Sequence, residues 1–181
     1  MRAFGALTTL AWKNEIAKLA YIKQALADVD ERRLYPHCLP KVRATSQQIV
    51  QCEGVLGFRF EPDHAELLLC ANGWDGFLQT TNLFGTDDFL GSEQYQAAQG
   101  VLDMLDEGVF VRAGVPRRDF FPVGASLLDG DVFAMVKSNV RSPSRVFWFA
   151  GYEIDRYPSF SEFFLAIMDY NRLAVEKMRS S

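Results

Sequence analysis

Apolar side chains recur at helical spacing near the start of the chain: Trp12, Ile16, Leu19 and Leu26, with Lys23 interrupting the same stripe. The spacing predicts a first helix that starts after Thr8 or Thr9 and runs to about Val29. Asp30–Val42 holds Pro36 and Pro40 and reads as a linker or loop. A second helix opens at Thr45, where Thr45-Ser46-Gln47-Gln48 matches a capping box: the hydroxyl takes a backbone N–H and the Gln side chain reaches back. Ile49, Cys52 and Leu56 follow on one face, and Gly57 ends the helix because glycine tolerates positive φ. Pro62 is a favoured first helical residue, and Asp63 suits the dipole of a third helix. Its apolar side is Leu67, Leu68, Leu69 and Ala71, and Asn72-Gly73 closes it.

Trp74–Leu90 lacks a clear period and reads as a long loop rich in aromatics, Gly and Asp. A fourth helix is expected from Ser92 to about Glu107, with Tyr95, Val101, Leu102 and Leu105 inward and Gly100 weakening it by roughly 1 kcal/mol. The pattern then changes to strands. Phe120-Phe121-Pro122-Val123-Gly124 is an apolar run ending in a turn signal. Leu128-Asp129-Gly130-Asp131 is a hairpin-type turn, and Val132–Val136 and Val146–Phe149 read as antiparallel strands. Ser159-Phe160-Ser161-Glu162 is a second capping-box pattern. It opens a last helix with Phe163, Phe164, Ile167 and Tyr170 inward. No internal repeat is visible.

A chain of 181 residues fits one domain, or a domain with an added N-terminal helix. Fifteen Phe residues point to an aromatic-rich core. No uncharged apolar run approaches the roughly 20 residues that span a bilayer, so no membrane association is expected. Arg2 precedes an apolar run from Ala3 to Trp12, but Lys13, Asn14 and Glu15 interrupt it and no cleavage pattern follows, which argues against a signal peptide. Cys38, Cys52 and Cys70 are odd in number and widely spaced. They form neither a disulfide framework nor a zinc site, and a reduced, cytoplasmic compartment is expected.

The net charge of −4 is unevenly spread. Residues 1–44 carry eight Lys/Arg and four Asp/Glu, whereas residues 60–111 carry ten Asp/Glu and no Lys or Arg. A surface built from that stretch repels nucleic acid and attracts a basic partner; alternatively it is a solvated face that serves solubility alone.

Catalytic patterns are sparse. The two histidines are His37 and His64. Adjacent residues rarely point at each other, which disfavours a Cys38/His37 nucleophile–base pair. Asp129-Gly130-Asp131 lacks the third acidic position and the terminal Glu of a calcium loop. Phosphate-binding glycine loops and GxSxG are absent. No cofactor or metal is therefore expected. What remains is a constellation of aromatics and acids, Trp74, Asp75, Phe77, Phe84, Asp87, Asp88 and Phe89. That mixture suits a protein interface; alternatively Trp74, Phe77, Leu83 and Phe84 cover the core under a long loop, and core is the favoured reading for Leu83 and Phe84.

One ordered series of motifs carries a resemblance. Thr45-x3-Ile49-x3-Glu53-x2-Leu56-Gly57-Phe58-x-Phe60-x-Pro62-Asp63-His64-x2-Leu67-Leu68-x3-Asn72-Gly73-Trp74 resembles the opening signature of the SUKH superfamily. That group includes the Smi/Knr cell-wall assembly regulators and many bacterial immunity proteins. Leu83-Phe84-Gly85, Phe120–Gly124, Gly130–Phe133, Val146–Phe149 and Ser159–Phe164 resemble its later elements in order. Phe60 departs from the usual Leu, and His64 from the usual Tyr.

The resemblance covers about Thr45 to Arg172. It implies an α+β fold, a twisted, mostly antiparallel sheet flanked by helices, with residues 1–44 as an N-terminal helix and loop extension to a domain spanning residues 45–181. It also implies a non-catalytic protein-binding role: an immunity protein for a cognate toxin, a basic nuclease domain for example, or alternatively a regulatory scaffold or adaptor. It carries no catalytic residues. Loop position and charge make Trp74, Asp75, Asp87, Asp88, Asp129 and Asp131 the expected partner-binding residues.

Overall fold

The computed structural model describes residues 10–180. The elements are α1 (Trp12–Val29), α2 (Ser46–Leu56), α3 (Pro62–Leu68), β1 (Trp74–Leu78), β2 (Thr81–Leu83), α4 (Thr86–Phe89), α5 (Glu93–Met104) and α6 (Glu107–Ala113). A 3₁₀ turn at Arg117–Asp119 follows, then β3 (Phe120–Ala125), β4 (Val132–Val136), β5 (Val146–Phe149), β6 (Glu153–Tyr157) and α7 (Phe160–Arg179). The six strands form one antiparallel sheet in chain order, β1 to β6. The α+β class, the antiparallel sheet and the extra N-terminal helix all match the expectation.

Helices cover both sheet faces. Side chains alternate along a strand, and on β5 Trp148 meets Tyr170 of α7 while Phe149 meets Phe110 of α6. So α7 and α6 lie on opposite faces. Phe163 of α7 touches Phe77, Phe133 and Tyr157 from three strands. On the other side Phe120, Phe147 and Phe149 pack edge-on or stacked below Phe110. Double coverage explains why every residue of β3 and β4 is buried and why those strands read as continuous apolar runs.

The N-terminal segment shares this core. Trp12 packs on Phe160 and Phe164, and Trp12 and Leu19 belong to the same buried cluster as the sheet. Lys23, placed on the apolar stripe by the sequence, is buried and donates its ammonium to the Gly76 carbonyl on β1. Burial lowers its pKa to about 8. Lys41 N–H donates to the Gly73 carbonyl at 2.9 Å and Ala44 N–H to that of Leu68 at 2.8 Å, so the connecting segment runs alongside the end of α3. Within the loop, the buried Asp30 carboxylate accepts from the backbone N–H of Leu34 and Tyr35 and contacts His37 Nε2. The Leu34 bond leads in lowering its pKa against the effect of burial, helped by Tyr35 and His37.

Several expectations are corrected. The start of the first helix at Thr8 or Thr9, and the apolar run from Ala3, fall on residues 1–9, outside the described residues; α1 begins at Trp12. Helix α3 stops at Leu68, leaving Leu69 37% exposed. Trp74–Leu90 is not a loop but a hairpin plus a short helix. The expected fourth helix forms but ends at Met104, three residues early, because Leu105 turns extended, and a further helix, α6, follows, capped by Asp106, which accepts from Gly108 N–H. Strand β6, absent from the sequence reading, forms the sheet edge. The Thr45 capping box is complete, whereas at Ser159 only the hydroxyl bond from Glu162 N–H forms.

His64 sits where three aromatic rings meet: Phe160 stacked at 4.6 Å, Phe60 at 5.0 Å and Phe89 at 5.8 Å. Neither ring nitrogen has a partner among the described residues, and burial lowers its pKa from 6.5 to about 3. Above pH 6.5 the ring is neutral in both states. As pH falls from 6.5 towards 3, the unfolded chain binds a proton that the folded chain excludes, so stability drops by up to about 1.4 kcal/mol per pH unit. His64→Phe is expected to stabilise the protein by about 1–2 kcal/mol at neutral pH, since it removes two unpaired nitrogens. It should also flatten the fall in urea midpoint between pH 7 and 5, and an unchanged slope would refute the assignment. A second prediction concerns Gly76, at φ +64°, where an added Cβ would lie 2.7 Å from the Pro36 carbonyl oxygen. Gly76→Ala is expected to cost about 1–3 kcal/mol, read as a lowered melting temperature.

Candidate functional site

The expected partner-binding residues occupy two places. Asp75 contacts Lys41, and Asp87 and Asp88 lie within its electrostatic reach. Asp75 forms an ion pair with the Lys41 ammonium at 2.8 Å. Burial acts to lower the Lys41 pKa, but the Asp75 hydrogen bond and the charges of Asp75, Asp88 and Asp87 outweigh it, and the net shift is upward. Asp87 is exposed. Asp88 is engaged inside the protein: it accepts from Gly85 N–H and from the Ser92 hydroxyl, both at 2.9 Å.

Asp129 and Asp131 lie in the β3–β4 turn. Asp129 accepts from the Thr80 hydroxyl and from the Ser126 hydroxyl at 3.2 Å, which ties this turn to the β1–β2 turn. Asp131 accepts the Trp148 indole N–H at 2.9 Å. Burial raises its pKa, the Trp148 bond opposes this, and Asp129 adds to it. Trp74 is a correction: it was expected on an exposed loop, but it is 1% exposed on β1 and donates its indole N–H to the Cys38 carbonyl at 2.8 Å. Its physical role is to hold the N-terminal segment against the sheet.

None of those six residues lines the groove beside α5 and β3, a cleft of about 700 Å³. Its floor is aromatic: Phe58 lies 4.7 Å from Phe121, and Phe89 lies 6.3 Å from Phe121 and 5.8 Å from Tyr95. Val55 and Leu90 extend the apolar lining to the surface, at 63% and 40% exposure. One wall is α5, which contributes Tyr95, Gln99 and Asp103, with Glu107 beyond. Burial pushes the Tyr95 hydroxyl up to about 12, so it stays protonated. Pro116–Arg118, Phe120 and Lys137 complete the lining.

Arg117 builds the end of this groove. Its guanidinium donates to the Asp103 and Leu105 carbonyls, both at 2.6 Å, pairs with Glu107 at 3.2 Å and lies over the Phe110 ring at 5.0 Å. It thereby satisfies carbonyls left open where α5 ends. Lys137 lies over Phe58 at 5.7 Å and donates to the Arg118 carbonyl at 2.6 Å. The groove escaped the sequence reading because its parts come from five separate segments. One local signal was present: Tyr95, Gln99 and Asp103 at four-residue intervals, which put them on one helix face.

Among the described residues, no three His, Cys, Asp or Glu side chains converge as metal ligands, and no helix is long and apolar enough to cross a membrane. Cys52 is buried and donates its thiol to the Thr86 carbonyl at 3.2 Å; burial pushes its pKa up to about 11. His37 faces Asp30. A second hollow, about 740 Å³, lies where Leu34 and Tyr35 meet Tyr170 and Leu173.

An antiparallel six-strand meander with helices on both faces defines an α+β domain. The chain belongs to the SMI1 / KNR4 family (SUKH-1), whose family model matches residues 43–166. No curated protein sequence matches the chain significantly.

The groove architecture yields a prediction. Arg117→Ala is expected to destabilise the protein by about 1.5–3 kcal/mol, because it leaves two carbonyls without their charged donor. Arg117→Lys should recover less than half of the loss, since an ammonium cannot reproduce the fork. Urea denaturation of the three proteins reads the difference.

Proposed function

We propose that this chain is a non-catalytic immunity protein that neutralises a cognate toxin by binding it, and that the toxin surface it meets is basic, as on a nuclease domain. Family membership supports the class. The observation that carries the charge argument is the cation-free stretch 60–111, which supplies α4, α5 and all of α6 but its last two residues, Arg112 and Ala113. Asp87, Glu93, Asp103, Asp106 and Glu107 are all exposed on it. An acidic surface of this kind accelerates encounter with a cationic partner and discriminates against nucleic acid. Asp75 and Asp129 extend the proposed partner-facing set, and a cytoplasmic site of action fits the free thiols.

Co-expression with the product of the adjacent gene tests the reading. Rescue of growth and co-purification of one dominant partner are expected, with an association rate that falls steeply as salt rises. The triple variant Asp103→Lys, Asp106→Lys, Glu107→Lys is expected to slow association by about tenfold or more, measured by surface plasmon resonance. A harmless neighbour and no stable complex would sink the proposal. Several host partners in place of one would favour the alternative, a regulatory adaptor.

A further inference from the structure

The groove beside α5 and β3 joins an aromatic floor to a row of cations that no carboxylate neutralises. Its lining carries Arg117, Arg118 and Lys137 against Asp103 and Glu107. Arg117 is occupied by Glu107 and by two backbone carbonyls. Arg118 and Lys137 therefore stand against Asp103 alone. The Lys137 ammonium lies over the Phe58 ring and donates only to a backbone carbonyl, that of Arg118. The row continues past the groove. The Ser138 hydroxyl donates to the Arg59 carbonyl at 2.6 Å, which sets Arg59 beside the β4–β5 connection, and Arg141 lies within that connection. Arg145 fixes its shape: the guanidinium donates to the Val136 and Val140 carbonyls at 2.9 and 2.8 Å and pairs with Glu61 at 3.8 Å. Arg59, Arg118 and Arg141 are exposed, and none of their side chains carries a hydrogen bond or ion pair among the described residues. Arg59, Arg118, Lys137 and Arg141 thus face only Asp103 and Asp119, in a chain whose net charge is −4.

We infer that this groove and the cations beside it bind an acidic segment of a protein partner. One large apolar side chain of that segment sits on Phe58 and Phe121, and its carboxylates meet Lys137 and Arg118 and then Arg59 or Arg141. Charge complementarity selects the sign of the occupant, because free cations rim the apolar floor. The floor selects an apolar anchor: Val55 and Leu90 are exposed at its edge, and an apolar patch rimmed by polar groups is the usual form of a protein contact. A segment with several carboxylates also uses cations that come from three separate parts of the chain, whereas a small anion would engage one or two. Asp103 marks the border with the acidic surface of α4, α5 and α6, which repels a phosphate backbone. This surface is therefore distinct in sign and partner from the acidic one proposed to meet the toxin.

A random dodecapeptide library displayed on phage, selected against the full chain, tests the inference. Enrichment is expected for sequences in which a Phe, Trp or Leu stands close to two or more Asp or Glu. The enriched peptide, made synthetically and labelled, is expected to bind Arg118→Glu at least about tenfold more weakly, and to bind the unaltered chain less as salt rises. The Arg118 side chain has no partner in the fold, so the variant should melt as the unaltered chain does. Val55→Gln changes no charge and should bind several-fold more weakly. Arg32→Glu, in the segment after α1, carries the same charge change as Arg118→Glu and should bind as the unaltered chain does. The three variants together separate an anchored groove from general attraction to cations. No enrichment, a basic consensus, or full binding by either Arg118→Glu or Val55→Gln would overturn the inference. So would a labelled oligothymidine that binds the chain and loses its binding in Arg118→Glu. Failure of the immunity reading shows separately, in the co-expression experiment, which does not depend on this groove.

Discussion

The side chain of Asn72 closes the junction on which the architecture turns. Its amide donates to the Thr86 hydroxyl at 2.8 Å and its carbonyl oxygen accepts from Thr86 N–H at 2.7 Å. That pair joins the end of the helical opening to the start of α4 across the whole β1–β2 hairpin. The backbones must approach closely for it to form. A Cβ on Gly85 would stand 2.3 Å from the Asn72 carbonyl oxygen, and one on Gly73 would stand 2.8 Å from Gly85 nitrogen. Asn72-Gly73 and Leu83-Phe84-Gly85 are thus two halves of one contact, and each glycine is required by the other segment.

From this junction the rest of the packing follows. Trp74 comes directly after Gly73 and carries the N-terminal segment through its bond to Cys38. Gly76 accepts Lys23 and donates its own N–H to Asn82 at 2.7 Å, which seats the hairpin bulge under α1. Asn171 of α7 donates to the Phe77 carbonyl at 3.1 Å, so the open edge of β1 is covered from both α1 and α7. An edge satisfied by side chains is closed to further strand pairing. The edge at β6 is guarded differently, by Glu153, Asp155 and Arg156, with Arg156 gripping Glu153 at 2.5 and 2.6 Å. Both devices leave the groove between α2, α5 and β3 as a large concave surface set on rigid elements.

Much of this was legible in the chain, for local reasons. The Thr45 box, Gly57 at φ +75°, Pro62 as the first residue of α3 and the Asp129-Gly130 turn depend on contacts within a few residues. The hairpin from Trp74 was not legible. Its turn uses Gln79 at φ 51°, a residue that does not signal such a turn, and its β2 has three residues held by pairing with β3. Strand β6 was hidden by its charges, which suit an edge and look like a loop. Asp88 illustrates the limit for the site: its composition suggested a contact surface, yet its oxygens are taken by Gly85 and Ser92.

The sequence by itself determined the Thr45 cap, the Gly57 and Asp129-Gly130 turns, the helical stripes, the family and the removal of positive charge from residues 60–111, because each is a property of spacing or composition. It even placed Lys23 on the inward face of α1. Only the tertiary structure decided what Lys23 meets there, that Trp74 is a buried strut, and that Phe58, Tyr95, Asp103 and Phe121 face one another. The reason is physical: burial, close backbone approach and a groove's two walls are relations between segments far apart in the chain, and no local pattern encodes the partner.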